Sequence, residues 1–154
     1  MTKDHLIETA RSLTQPSKKS TDEFISKSER LAAEMNRIML GRKDLIRMVG
    51  EDNTVMMEDN HRNHARFFCS VFTNYNPAVL VETVLWVYRA YRNHGFNLTY
   101  WPAQLDQWTE LFKKELSKEC YAEIYPFYDW MIVNQPAFVA ESDKMVLEKD
   151  CPEH

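Results

Sequence analysis

Apolar residues recur at spacings of three and four along most of this chain, and this period constrains the fold more than any other sequence feature. The clearest stripe consists of Met57, His61, His64, Phe68, Val71 and Tyr75. This spacing is typical of a helix with one face in a protein core. No segment shows the extended alternation of apolar and polar residues that marks a half-buried strand. We therefore expect an all-α fold.

The scarcity of glycine favours the same fold class. The chain has 154 residues, of which 3 are glycine, whereas β-sandwiches and doubly wound α/β folds use many glycine-bearing turns. This length suffices for one domain with a substantial core. Short connections between the predicted helices indicate a five- to six-helix antiparallel bundle. A globin-like arrangement and a four-helix bundle with added helices both fit.

Composition divides the chain into three parts. Residues 1–19 are expected to form an N-terminal helix and a polar linker, residues 20–141 a single helical domain, and residues 142–154 a flexible C-terminal tail. The N-terminal helix can pack on the domain, on a partner or on a second copy of the chain. The polar and charged character of the last segment predicts that it is loosely held.

Capping and breaking residues mark the expected helix ends within the domain. Ser20 followed by Glu23 predicts a capping box at the start of the first long helix. The apolar stripe of that helix suits either a bundle core or a dimer mate. Pro126 lies inside the last apolar face, where a kink or a break is expected.

Charge and cysteine content narrow the functional class. The formal net charge of −4 argues against a nucleic-acid-binding protein, which usually carries a basic face. Cys69, Cys120 and Cys151 are odd in number and lack CxxC spacing, so a disulfide framework is not expected. No apolar run approaches the ~20 residues of a membrane span, and no signal peptide begins the sequence. These features indicate a cytoplasmic protein without membrane association.

Two histidines on the apolar stripe are the first candidate site. His61 and His64 lie on adjacent turns of one face, where imidazole can bind a metal or haem iron. Glu58 and His61 have the ExxH spacing of di-iron carboxylate bundles, but the chain lacks the second ExxH motif that these bundles need. The alternative is that neighbouring side chains hydrogen-bond both histidines within the core. Histidines on such a seam would also respond to pH near 6 to 7.

Aromatic residues in the second half of the chain are the second candidate site. They can line a pocket for a flat or apolar ligand, with tyrosine hydroxyls orienting it, or they can form a core with polar edges. Together with the histidines, the candidate ligand-binding residues are His61, His64, Tyr88, Tyr91, Trp101, Trp108 and Tyr128. The candidate metal ligands are His61, His64 and Glu58.

The order of residues from His64 to Leu116 resembles that of a known class of helical module. The residues that carry the likeness are His64, Phe67-Phe68, Asn76-Pro77, Leu80, Glu82, Val84, Trp86, Tyr91-Arg92, Gly95, Leu105 and Leu116. They are similar to the helical regulatory modules that lie beside cobalamin-binding and other sensor domains in bacterial signalling proteins. The likeness covers roughly a third of the chain, and the companion cobalamin-binding domain is absent from this sequence. The resemblance therefore implies a sensory or regulatory role, with globin-like sensors that have lost haem as an analogue, and no cofactor is carried over from it; a haem or metal ion stays possible.

Three functional hypotheses remain open. The first is a small regulatory or sensory domain that binds a partner protein or a small ligand in an aromatic-lined cavity. The second is a haem- or metal-binding protein of globin-like or carboxylate-bundle type. The third is a structural homodimer without a ligand. The sequence has no GxSxG, P-loop or GxGxxG motif, so an enzymatic activity is not expected.

Overall fold

Eight α-helices make up the part of the protein that the structure describes. A computed structural model describes the backbone of residues 2–149 and the side chains of residues 2–144. The helices are α1 (Lys3–Ala10), α2 (Lys18–Leu40), α3 (Leu45–Val49), α4 (Thr54–Thr73), α5 (Pro77–Asn93), α6 (Tyr100–Glu115), α7 (Lys118–Val133) and α8 (Gln135–Lys149). No strand occurs within these residues. The all-α class is confirmed.

The helix count exceeds the expected five to six, partly because the last apolar face forms two helices. The helix is not broken at Pro126, where a kink or a break is expected from the sequence, and it ends at Asn134, between α7 and α8. Pro126 and Ala122 are exposed, so water can bond the Ala122 carbonyl that proline leaves without a donor. The Asn134 side chain donates to the Trp130 carbonyl at 2.8 Å and ends α7. Pro136 falls in the first turn of α8, where a missing N–H costs little.

The helices pack in two groups rather than in the simple order of an up-and-down bundle. In the first group α2 packs chiefly on α4 and also contacts α6 and α7, while α6 packs on α7. In the second group α5 packs on α1 and α8. The principal partners of α5 are therefore α1 and α8, and not α4, which precedes it in the chain. The globin-like arrangement is not confirmed.

The sequence did not decide what the apolar faces of α1 and α2 pack against, and both point into the core of this chain. Leu6 and Ala10 of α1 are fully buried, and α1 packs on α5 of the same chain. The seam of α2 that could have faced a dimer mate contains Phe24, Leu31 and Met35, all buried in this chain. The homodimer expected from that seam would have to use another surface.

The boundary expected at residue 142 falls inside a helix. Ser142 is fully buried, and α8 continues to Lys149. Arg92 of α5 donates to the Ser142 hydroxyl at 3.3 Å and forms an ion pair with Asp143. These contacts attach the start of the predicted tail to α5. Residues 150–154 lie outside the described part of the chain.

The structure bears on the membrane and cysteine expectations as well. Within the described residues, none of the helices combines the length and the apolar composition of a membrane span. Cys69 and Cys120 are free thiols. Cys151 lies outside the described residues.

The N-termini of α2 and α7 cap each other through an exchange of glutamates. The N-cap of α2 is Ser17 rather than the expected Ser20, and its hydroxyl accepts from the Ser20 N–H at 3.2 Å. Glu123 of α7 accepts from the N–H and hydroxyl of Ser17 at 2.7 and 3.0 Å. Glu23 of α2 in turn accepts from the N–H and hydroxyl of Ser117, the N-cap of α7, both at 2.7 Å. The capping box expected within α2 is thus replaced by these reciprocal caps.

The reciprocal caps hold both glutamates in the charged form. Burial raises the pKa of Glu23, but hydrogen bonds from Ser117 and Lys27 outweigh it and lower the pKa to about 2. Hydrogen bonds from Ser20 and Ser17 lower the pKa of Glu123. A carboxylate whose pKa is lower in the folded state stabilises the protein above its unfolded pKa, and this stabilisation is lost as the pH falls.

We expect Glu23→Gln to lower the free energy of unfolding by about 2 kcal/mol at pH 7. The hydrogen bonds from Ser117 and Lys27 would then go to a neutral amide instead of a charged carboxylate. The difference from the wild type should shrink as the pH falls from about 4.5 towards 2. Urea unfolding at pH 7 and pH 3 measures both values. Glu29→Gln is the control, since Glu29 is exposed on the same helix and bonds no described residue. Equal stability of Glu23→Gln and wild type at pH 7 would contradict the role of the reciprocal caps.

Candidate functional site

A cavity of about 170 Å³ lies where α5 diverges from α4. Its wall comes from α4, α5 and α6, with Met131 of α7 also contributing, and it opens to the surface. Trp86 lines it with a side chain that is 55% exposed. Most of the wall is aromatic or aliphatic. The residues that line the cavity are Asn60, Asn63, His64, Phe67, Phe68, Thr83, Val84, Trp86, Val87, Tyr88, Tyr91, Trp101, Gln104, Leu105 and Met131.

Four of the predicted ligand-binding residues line this cavity. They are His64, Tyr88, Tyr91 and Trp101. The Tyr88 and Trp101 rings are stacked with their centroids 4.6 Å apart, and the edge of Tyr91 meets Trp101 at 6.0 Å. The stack joins α5 to α6 and forms a continuous aromatic wall.

Trp108 and Tyr128 lie behind this wall and contact His64 rather than the cavity. The Tyr128 hydroxyl lies 2.6 Å from His64 Nε2. The Trp108 ring stacks on the imidazole at a centroid distance of 4.8 Å and an interplanar angle of 13°. Tyr128 and Trp108 are fully buried, whereas His64 is partly exposed. These two residues therefore fix the orientation of His64 at the cavity.

His61 is fully buried away from the cavity and belongs to a hydrogen-bonded network that we call the His61 network. His61 Nδ1 lies 2.5 Å from Asn36 Oδ1, and Nε2 lies 3.1 Å from the Tyr100 hydroxyl. The Gln104 amide donates to Asn60 Oδ1 at 2.9 Å, and the Tyr100 hydroxyl lies at the same distance from that oxygen. The network joins α2, α4 and α6. It agrees with the interpretation that neighbouring side chains satisfy the buried histidines.

The candidate metal ligands do not form a coordination site. Asn36 and Tyr100 occupy both ring nitrogens of His61, and Tyr128 occupies Nε2 of His64. In the part of the chain that the structure describes, no group of three His, Cys, Asp or Glu side chains, Glu58 included, could hold a metal ion. The geometry gives no support to a metal site formed by His61, His64 and Glu58.

Burial keeps both histidines neutral. Loss of solvation lowers the pKa of His61 to about 3, with a smaller contribution from the charge of Arg62. The pKa of His64 is also lowered to about 3 by loss of solvation and by His61. Neither histidine therefore titrates near pH 6 to 7 in the folded protein, so their response in that range has to come from unfolding. Since no Asp, Glu, Lys or Arg lines the cavity, its wall is uncharged at neutral pH.

Three donors in and behind the aromatic wall lack a protein partner. Tyr88 Oη, Trp101 Nε1 and Trp108 Nε1 are buried, and no described residue accepts a hydrogen bond from them. A buried donor without a partner costs about 1–3 kcal/mol. The wall between α5 and α6 is thus less favourably packed than the His61 network.

Several cavity residues were missed by the sequence analysis although helical spacing places them beside predicted ones. Asn60 precedes His64 by four residues, and Gln104 follows Trp101 by three. Val84 precedes Tyr88 by four residues, as one turn of a helix requires. Extending each candidate by one helical turn would have found these residues. No comparable signal indicates Met131, which α7 brings from a distant part of the chain.

No family model matches this chain, and neither a curated protein nor a solved structure shows significant similarity to it. The resemblance of residues 64–116 to helical sensory modules stays a prediction.

We expect the free energy of unfolding to fall between pH 7 and pH 5. Unfolding restores an ordinary pKa near 6.5 to His61 and His64, so the unfolded state binds more protons and stability decreases with acidification. The loss should be about 2 kcal/mol for His61 and less for His64, because water reaches part of its ring. Urea unfolding at pH 7, 6 and 5 measures the slope.

His61→Gln should flatten this slope, because the amide does not titrate in this range. His5→Gln should leave the slope unchanged, since His5 is exposed on α1. A wild-type stability that stays constant from pH 7 to pH 5 would show that the histidines are not held neutral.

Proposed function

We propose that this chain is a small cytoplasmic regulatory domain that binds one small, uncharged, apolar ligand in the cavity between α4, α5 and α6. The observation that supports this proposal is an aromatic, uncharged cavity that opens to the surface. Ligand sites in proteins are typically concave and apolar, with a few polar groups that orient the ligand. The cavity has these properties, with His64, Asn60 and Gln104 among its polar residues.

Size and charge define the ligand further. A cavity of about 150 Å³ can hold benzene, so one of about 170 Å³ that opens outward suits one ring or two fused rings. A charged ligand would lose its hydration without meeting an opposite charge on the wall, which is costly. The stacked rings of Tyr88 and Trp101 offer a flat surface. A flat, neutral molecule satisfies all three conditions.

The position of α5 suggests how a bound ligand would act on the rest of the molecule. One face of α5 lines the cavity, while the helix packs on α1 and α8. The Tyr88 and Trp101 donors without protein partners make this wall the part of the core with the most to gain from repacking. A ligand would therefore shift α5 together with α1 and α8. A partner protein or a second copy of the chain would sense that shift.

We expect isopropylbenzene to bind in this cavity with a dissociation constant of roughly 1 mM or below. This affinity lies within the binding free energy that a ligand with so few non-hydrogen atoms can reach. The measurement is a titration followed by methyl NMR. Saturable shifts should occur at Val84, Val87 and Leu105, which line the cavity, and not at Leu31, which lies in the core.

Val87→Phe should abolish this binding because the larger ring fills the cavity. Val79→Phe is the matched control, since Val79 lies on the same helix, is 47% exposed and does not line the cavity. Absence of saturable shifts in the wild type, or equal binding to Val87→Phe, would reject the proposed site. That outcome would favour the hypothesis of a structural homodimer without a ligand.

A further inference from the structure

The hydrogen bond between Tyr128 and His64 determines which ring nitrogen of His64 carries the proton. Tyr128 is fully buried, and a buried hydroxyl needs an acceptor for its proton. Among the residues described, His64 Nε2 at 2.6 Å is the acceptor within reach of this hydroxyl. Tyr128 therefore donates to Nε2. A neutral imidazole that accepts at Nε2 carries its hydrogen at Nδ1.

The protonated nitrogen is the one left for a ligand. His64 lines the cavity and is partly exposed, while its Nε2 is turned to Tyr128 in the core. Within residues 2–144, no side chain or backbone group forms a hydrogen bond with Nδ1. We propose that His64 Nδ1–H is the donor that orients the ligand, and that the ligand is a flat, neutral molecule with a hydrogen-bond acceptor such as a ketone, ester or amide carbonyl. This inference rests on the proposed function of the cavity.

The uncharged wall explains why the acceptor should be neutral. A carboxylate or phosphate would also accept from Nδ1–H, but no cationic side chain lines the cavity to compensate for its lost hydration. A neutral carbonyl is desolvated at a lower cost and still gains the hydrogen bond. Of the two candidate classes, carbonyl compounds and unsubstituted hydrocarbons, only the first can accept a hydrogen bond from Nδ1–H.

Tyr128 acts in this scheme as a positioning residue. It fixes the proton at Nδ1, and the stacked ring of Trp108 holds the plane of the imidazole. Without the Tyr128 hydroxyl, the imidazole could carry its proton at either nitrogen. The donor would then be available at Nδ1 for only part of the time.

A pair of nearly isosteric probes tests the acceptor requirement. Acetophenone and isopropylbenzene differ chiefly in that a carbonyl oxygen replaces a methyl group. The measured quantity is the dissociation constant of isopropylbenzene divided by that of acetophenone, in the wild type and in each variant. The hydration difference between the probes contributes equally in every protein, so a change in this ratio between wild type and variant reports the loss of the hydrogen bond. A single hydrogen bond to the ligand changes it by roughly tenfold.

His64→Phe retains an aromatic ring against Trp108 and removes the donor, so the ratio should fall roughly tenfold. Tyr128→Phe should lower it by roughly twofold, since about half of the imidazoles would then carry the proton at Nε2. Val79→Phe should leave the ratio unchanged. An unchanged ratio in His64→Phe, with isopropylbenzene still bound, would overturn the inference and leave the proposed function standing. Failure of both probes to bind the wild type would reject the two together.

The proton position can also be measured without any substitution. The ¹⁵N shifts of the His64 ring in the wild-type protein distinguish a proton at Nδ1 from one at Nε2. We expect the Nδ1–H form at neutral pH, and a change in the Nδ1 shift on addition of acetophenone but not of isopropylbenzene. A ring protonated at Nε2 would overturn the inference even if His64→Phe failed to fold.

Discussion

A polar side chain buried in a core must find its partners there, and His61 imposes this requirement on the centre of the molecule. Its two ring nitrogens contact Asn36 of α2 and Tyr100 of α6, so three helices must meet in one register. Apolar contacts between helices tolerate small slides and rotations. A closed hydrogen-bond network does not, because each lost partner leaves a buried group unsatisfied. Since His64 lies one turn further along α4, the same network also fixes where His64 faces the cavity.

The cavity exists because α5 packs on α1 and α8 rather than on α4. The stack of Tyr88 on Phe138 and the bonds from Arg92 to Ser142 and Asp143 attach α5 to α8. The three-residue turn between α4 and α5 would permit close antiparallel packing of these two helices, but α5 follows α1 and α8 instead. The space beside α4 is therefore a consequence of how the two helix groups meet.

The spacing of apolar residues along the chain predicted most of the helices and their buried faces. What this spacing could not predict has physical causes. The stripe of α4 correctly placed His61 on a buried face, because period alone decides which face is apolar. The spacing of apolar residues does not reveal which distant helix packs on that stripe. Asn36 could therefore not be predicted as the partner of His61, nor Tyr128 as the partner of His64. Both histidines were expected to titrate near their usual pH. Other helices bury His61 completely and His64 partly, which lowers the pKa of each, and that burial is a tertiary property.

Helix ends were predicted less well than helix faces, for a related reason. Ser17 and Ser20 are equally good capping residues, and the choice between them depends on Glu123 of α7. Likewise, α7 continues through Pro126, although this residue cannot donate to the helix, whereas Pro136 lies in the first turn of α8. Local sequence supplies the candidates, and contacts between distant segments select among them.

The reciprocal caps also affect the order in which the chain can fold during synthesis. Ser17 and Glu123 are separated by 106 residues, and Glu23 and Ser117 by 94. The first turn of α2 therefore leaves the ribosome long before Glu123, which bonds it. Conversely, Glu23 is synthesised long before Ser117, the residue of α7 that it bonds. Contacts of such long range form late, after much of the chain has been made. Most of the domain must be synthesised before either helix has a finished N-terminus.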